Sequence, residues 1–224
     1  KRESTPREAP SLLTSRAPSP SQLDTFFQTT MATYHISGIA ACVVVGDQIA
    51  WTGAYGYRDA AQTAPVTDNT LFLLASISKT FTATAAMQLH ENGLLDLDTD
   101  INTYLPFTVE NPAFPDSAIT MRMLLSHTSS IDRKDNTWYV APYTVVGGDC
   151  PIPLGDFVYD YLDPGGSRYD VTNYLTTWPP GKYRRYSNYG FALVGYIVEQ
   201  LSGMPFEQYF QDSVFAPLGM TECS

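Results

Sequence analysis

A serine three positions ahead of a lysine, in Ala75-Ser76-Ile77-Ser78-Lys79-Thr80, can support acyl-transfer chemistry. Residues i and i+3 share a helix face, so on a helix Lys79 reaches the hydroxyl of Ser76. A serine hydroxyl is a weak nucleophile until a neighbour accepts its proton. A lysine accepts one only where burial or a nearby cation brings its pKa well below the free value of about 10.4. At a helix N-terminus the backbone N–H of Ser76 also forms half of an oxyanion hole, where one donor is worth about 3–4 kcal/mol in the transition state. The plainer reading of the same four residues is an N-capping serine followed by a solvated lysine.

A second constellation, Tyr186-Ser187-Asn188, follows Pro179-Pro180-Gly181-Lys182 and opens an apolar helical pattern. A phenol in a loop just before a helix can project into a cleft and shuttle protons between a serine and a leaving group. The Asn188 amide can hold both a substrate carbonyl and a lysine ammonium. The plainer reading is a buried tyrosine with an asparagine N-cap, in a chain holding 15 tyrosines. The histidines His35, His90 and His127 form no His-Glu-x-x-His pattern, so neither a metal nor another cofactor is expected. Cys42, Cys150 and Cys223 are far apart and odd in number. No disulfide framework is expected, and Cys42, in an apolar run, is expected to pack as a small hydrophobe.

The elements that must position these residues follow from periodicity. Leu23, Phe26, Phe27, Met31 and Tyr34 recur at helical spacing and predict a helix from Ser21 to about Tyr34, ended by Gly38. Ile39–Val45 and Ile49–Tyr57, linked by Gly46-Asp47, predict a β-hairpin. Phe72 to Asn92 reads as a short apolar approach and a long helix stopped by Gly93. Further helices are expected at Thr120–Ser126, around Asp156–Leu162, at Asn188–Leu201 and from Pro205 to about Val214. The proline- and tyrosine-rich stretch from Asp132 to Thr177 predicts long loops of the kind that shape a cleft.

Composition narrows the function. With 13 Lys and Arg against 23 Asp and Glu, the net charge is −10 and no basic stripe is present. That excludes a nucleic-acid footprint and leaves recognition of an anionic substrate to local contacts. No apolar run reaches the roughly 18 residues of a membrane span. The lead-in carries Pro6, Pro10, Pro18 and Pro20 and suits a mature secreted or periplasmic enzyme, or an ordinary linker.

Together the two constellations, in this order, resemble the serine β-lactamase-like superfamily: class C β-lactamases, D-Ala-D-Ala carboxypeptidases and family VIII esterases. The resemblance extends to Phe81, to Leu124-Leu125-Ser126-His127-Thr128-Ser129, to Pro180-Gly181 and to Pro217-Leu218-Gly219-Met220. It implies an α+β fold of two lobes, an antiparallel sheet flanked by helices and an all-helical lobe, with the later strands of the sheet beyond this chain. The implied division is a flexible tail 1–21, a helix and hairpin 22–73, a helical lobe 74–183, and the Tyr-Ser-Asn motif with its helices 184–224. By resemblance Ser76 is the nucleophile, Lys79 its proton acceptor, Tyr186 the proton shuttle and Asn188 a substrate-binding residue. His127 is implied to be a structural residue at a helix end. The family usually has glycine where this chain has Ser130. Its third motif, a strand supplying the other oxyanion N–H, is not found after Tyr186, so a further segment of the same protein or a second chain is expected as a partner. The expected activity is hydrolysis of an ester or amide, that is, a β-lactam, a D-amino-acid peptide or a small carboxylic ester. A non-catalytic scaffold and an inactive fragment are the alternatives.

Overall fold

Helix α1, Pro20–Tyr34, begins one residue before the periodicity places it. Ser19 Oγ accepts the Gln22 N–H, while the Gln22 side chain takes the Ser19 N–H at 2.8 Å. Pro20 then stands at the first helical position, where its missing N–H is no loss. At the other end His35, at φ 54°, forms the left-handed cap expected of Gly38. The computed structural model describes residues 18–132, 143, 145, 148 and 150–220. Most of the lead-in, and Cys223, therefore lie outside the described residues.

The chain divides into two units, Lys1–Leu73 and Leu74–Ser224. In the first, strands β1 (Gly38–Val45) and β2 (Gln48–Gly56) pair antiparallel, with an irregularity between Val43 and Val44. Helix α1 packs on one face of this ribbon. Phe27 stacks on Trp51 at 5.6 Å and on Tyr55 at 5.7 Å between ring centres. The Tyr55 hydroxyl donates to Asp24 at 2.5 Å, and local desolvation with the Asp24 carboxylate pushes its pKa up to about 12. Cys42 departs from expectation: it is exposed. It pairs with Thr52, and strand alternation turns that pair away from the Trp51 and Tyr55 face.

The second unit is helical and carries the core. Its helices are α2 (Ser78–Glu91), α3 (Met121–Leu125), α4 (Leu154–Leu162), α5 (Asn188–Ser202) and α6 (Phe206–Phe210). Helix α5 runs through the middle. Leu193, Val194, Ile197 and Val198 are fully buried, in one core with Ala85, Ala86 and Leu89 of α2, Leu124 of α3, and Val158 and Leu162 of α4. Small alanines on α2 let the two backbones approach closely. Both ends of α5 are fixed: Ser187 Oγ accepts the Gly190 N–H at 3.0 Å, and Gly203 turns out of the helix at φ 68°. The expected last helix is shorter, because after Phe210 the chain widens into a π turn, Gln211–Phe215, and then tightens at Ala216–Leu218.

Between α2 and α4 one buried side chain ties the loops together. Asn111 Nδ2 donates to Ser130 Oγ at 2.9 Å and to the Leu175 carbonyl at 2.8 Å, and its Oδ1 accepts the Ala113 N–H at 3.0 Å. Ser130 sits at φ 63°, a backbone region where glycine is unstrained. The bond from Asn111 holds the Ser130 side chain at this strained turn. The fold is α+β, with a small antiparallel sheet and many helices.

Candidate active site

Ser76 stands on a 3₁₀ turn, Ala75–Ile77, that leads straight into α2. Regular helix starts only at Ser78, later than the apolar pattern suggests, because Ala75 adopts φ 47° and breaks the helical path. A left-handed alanine is strained by about 1–2 kcal/mol, and such residues persist where the surroundings over-determine them. The turn places Ser76 one helical turn before Lys79, at the positive end of α2. No side-chain cap hydrogen bond starts either the 3₁₀ turn or α2, so Ser76 does not play the N-capping part that its type also allowed.

Three of the four candidate residues meet. Ser76 Oγ lies 2.5 Å from the Tyr186 hydroxyl, although 110 residues separate them. Lys79 Nζ donates to Ser76 Oγ at 3.4 Å and lies 5.0 Å from the centre of the Tyr186 ring. The first distance is that of a strong O–H···O bond and the second is long for an N–H···O bond. Asn188 opens α5 as its first helical residue, the N-cap being Ser187. It lines, with Ala75 and Lys79, an open groove of about 840 Å³. Among the described residues its amide bonds to neither Ser76 nor Lys79. The groove continues past Phe191 and Phe157 toward Glu199 and Glu207, and the Pro151–Pro153 stretch of the long loop lines it as well.

Sequence reasoning did not foresee two neighbours. Phe191 lies 5.8 Å from Lys79 Nζ; its place three residues after Asn188, on the same helix face, is the signal that could have found it. His127 packs its ring 4.5 Å from that of Tyr186 and 4.9 Å from that of Phe191. Burial, with Arg184 and Lys79 as nearby cations, holds the His127 pKa below the ordinary histidine value. Nothing local in the sequence marks that contact, since it joins segments from opposite sides of the long loop. Gly181, at φ 82°, gives its N–H to the Thr128 carbonyl at 2.7 Å and so docks the loop before α5 onto the turn after α3.

Among the described residues no group of three or more His, Cys, Asp or Glu side chains could hold a metal ion, and no helix is long and apolar enough to cross a membrane. What the arrangement can do is move a proton off a serine hydroxyl and steady the resulting charge.

Known proteins resemble this chain over most of its length. A penicillin-binding protein of Bacillus subtilis (strain 168) is 31% identical over 200 residues, covering 89% of this chain and 40% of the relative. The solved D-alanine carboxypeptidase AmpC from Burkholderia cenocepacia superposes with a TM-score of 0.62 at 25% identity, over 87% of this chain and 46% of that one. EstCE1, described as a hydrolase with promiscuous acyltransferase activity, gives a TM-score of 0.68 at 25% identity, over 88% and 50%. The chain spans about 40% of the length of the curated relatives it matches. Residues 23–224 match the family described as Beta-lactamase, and on that match the chain belongs to this family, within the serine β-lactamase-like superfamily.

Proposed function

We propose that the protein is a serine hydrolase that forms an acyl-enzyme on Ser76 and hydrolyses an ester or amide: a β-lactam, a D-amino-acid peptide or a small carboxylic ester. The observation that carries the reading is the 2.5 Å contact between Ser76 Oγ and the Tyr186 hydroxyl, with Lys79 beside both. The distances favour a route in which Tyr186, as the phenolate with the Lys79 ammonium as its counter-charge, takes the Ser76 proton directly and becomes the neutral phenol. Lys79 is then the partner that keeps the phenolate available rather than the first acceptor. Ser76 Oγ attacks the substrate carbonyl carbon, and the backbone N–H of Ser76 steadies the oxyanion. Tyr186 returns the proton to the departing amine or alkoxide, which leaves as a neutral product. The phenolate so restored takes a proton from water as the water attacks the acyl carbon, and passes it to Ser76 Oγ as the acid departs. Asn188 faces the groove, where its amide can hold the substrate chain in register.

Three named relatives support this reading: one penicillin-binding, one a D-alanine carboxypeptidase, and one a hydrolase with acyltransferase activity. The test is intact-mass spectrometry after incubation with a penicillin and, separately, with a fluorophosphonate. A single adduct lost in Ser76→Ala is the expected result. An adduct that persists in Ser76→Ala, or a folded, longer form of the protein carrying the expected further segment that takes up neither probe, would overturn the assignment.

A further inference from the structure

We propose that His127 is a positioning residue that holds Tyr186 against Ser76, an inference that rests on the reading of Tyr186 as the residue that moves the Ser76 proton. The backbone is gripped on both sides of Tyr186 by this one histidine. The Arg185 N–H donates to the His127 carbonyl at 2.7 Å, and the Ser187 N–H donates to the His127 imidazole Nδ1 at 3.2 Å. The ring itself lies against the phenol ring at 4.5 Å. With residues 185 and 187 pinned, Tyr186 keeps little freedom beyond its own side-chain torsions, and the imidazole closes one side of those. His127 sits at φ 59° as the left-handed residue that closes α3, where the Thr128 N–H returns to the Met123 carbonyl at 2.7 Å, and from this turn its carbonyl and its ring both meet the loop before α5.

The contact also fixes the tautomer. A backbone N–H only donates, so Nδ1 accepts and carries no proton, and the neutral ring bears its hydrogen on Nε2. Protonation would set an N–H against the Ser187 N–H and release one of the two grips. Among the described residues, the charged and titratable groups around the ring are Lys79 from α2 and Arg184 and Tyr186 from the loop before α5, while α5 itself presents the uncharged Phe191. Two cations therefore oppose protonation at this place.

The experiment compares His127→Phe, which keeps a ring and removes the acceptor, with His127→Asn, whose Oδ1 takes the place of Nδ1 and whose side chain tolerates left-handed backbone. The rate constant for Ser76 acylation is read with a fluorophosphonate, alongside thermal melting and the Ser76→Ala and Tyr186→Phe controls. A misplacement on the order of 1 Å slows chemistry about a hundredfold, so His127→Phe should lose roughly ten- to a hundredfold in rate, and His127→Asn should recover most of that loss. The wild type should also slow in acid as His127 protonates, whereas His127→Asn should hold its rate further into acid. The pH comparison decides the matter even if the Phe variant does not fold. Wild-type acylation in His127→Phe, equal slowness in His127→Asn, or the same acid limb in wild type and His127→Asn would each overturn the inference. Acylation unaffected by Tyr186→Phe or Ser76→Ala would instead remove the reading on which it rests.

Discussion

Removing one oxygen from the site gives the sharpest check on the proposed route. In Tyr186→Phe the ring stays against His127, but the acceptor 2.5 Å from Ser76 Oγ is gone, and the nearest remaining base is Lys79 at 3.4 Å. A positioned general base contributes about 10²–10⁴ in rate, which at about 1.36 kcal/mol per decade is about 3–5 kcal/mol. Lys79→Met removes a unit charge 5.0 Å from the Tyr186 ring. By Coulomb's law that charge steadies a phenolate by about 1–3 kcal/mol, for effective dielectric constants between about 80 and 20. The single Lys79 variant should therefore acylate roughly five- to two-hundredfold more slowly. If Lys79 acts through the phenol, the double variant is no slower than Tyr186→Phe alone, because residues that work as a unit are not additive. The assay is the pre-steady-state burst of a chromogenic ester, with melting temperatures as a folding control. A Tyr186→Phe burst within threefold of wild type refutes the route, and so does a double variant whose losses simply add.

Two further outcomes follow from the scaffold. Asn111→Ala strips three hydrogen bonds from a fully buried position and should destabilise by about 2–3 kcal/mol, lowering the melting midpoint by several degrees; an unchanged midpoint would mean that the Asn111 bonds do not hold Ser130 and Leu175. The lowered His127 pKa means that the unfolded chain takes up this proton first, so its contribution to stability is full above about pH 6.5 and is lost as pH falls toward the folded value. Urea midpoints at neutral and mildly acidic pH should show wild type losing more on acidification than His127→Asn, and equal losses would remove the effect.

The pairing of Ser76 with Lys79 was legible because the two are three residues apart on successive turns, the 3₁₀ turn and the start of α2, so a local rule of geometry sufficed. Helix α5 was legible for a similar reason, from the apolar period of Phe191 to Leu201, but its cap was not: the sequence offered Asn188 for the part that Ser187 plays, one residue earlier. What joins the two halves was not. The left-handed Ala75 that delays α2 runs against the preference of alanine, and only the surrounding structure selects it. The grip of His127 on Arg185 and Ser187 depends on the path of a long loop, which no spacing encodes. Cys42 misled because an apolar strand does not say which of its faces a helix will cover.

The reach from Ser76 to Tyr186 also bears on how the molecule acquires its site. Each half can form its local turns early, since helical contacts close within a few residues. The contact between Ser76 and Tyr186, by contrast, closes a loop of 110 residues, and contacts of such long range bear a heavy entropic penalty before they return any energy. The helices of Leu74–Ser224 can therefore be present while Ser76 has only Lys79 beside it, and on the proposed route competence for acylation would mark the completed docking of α5 on α2 rather than the appearance of helix.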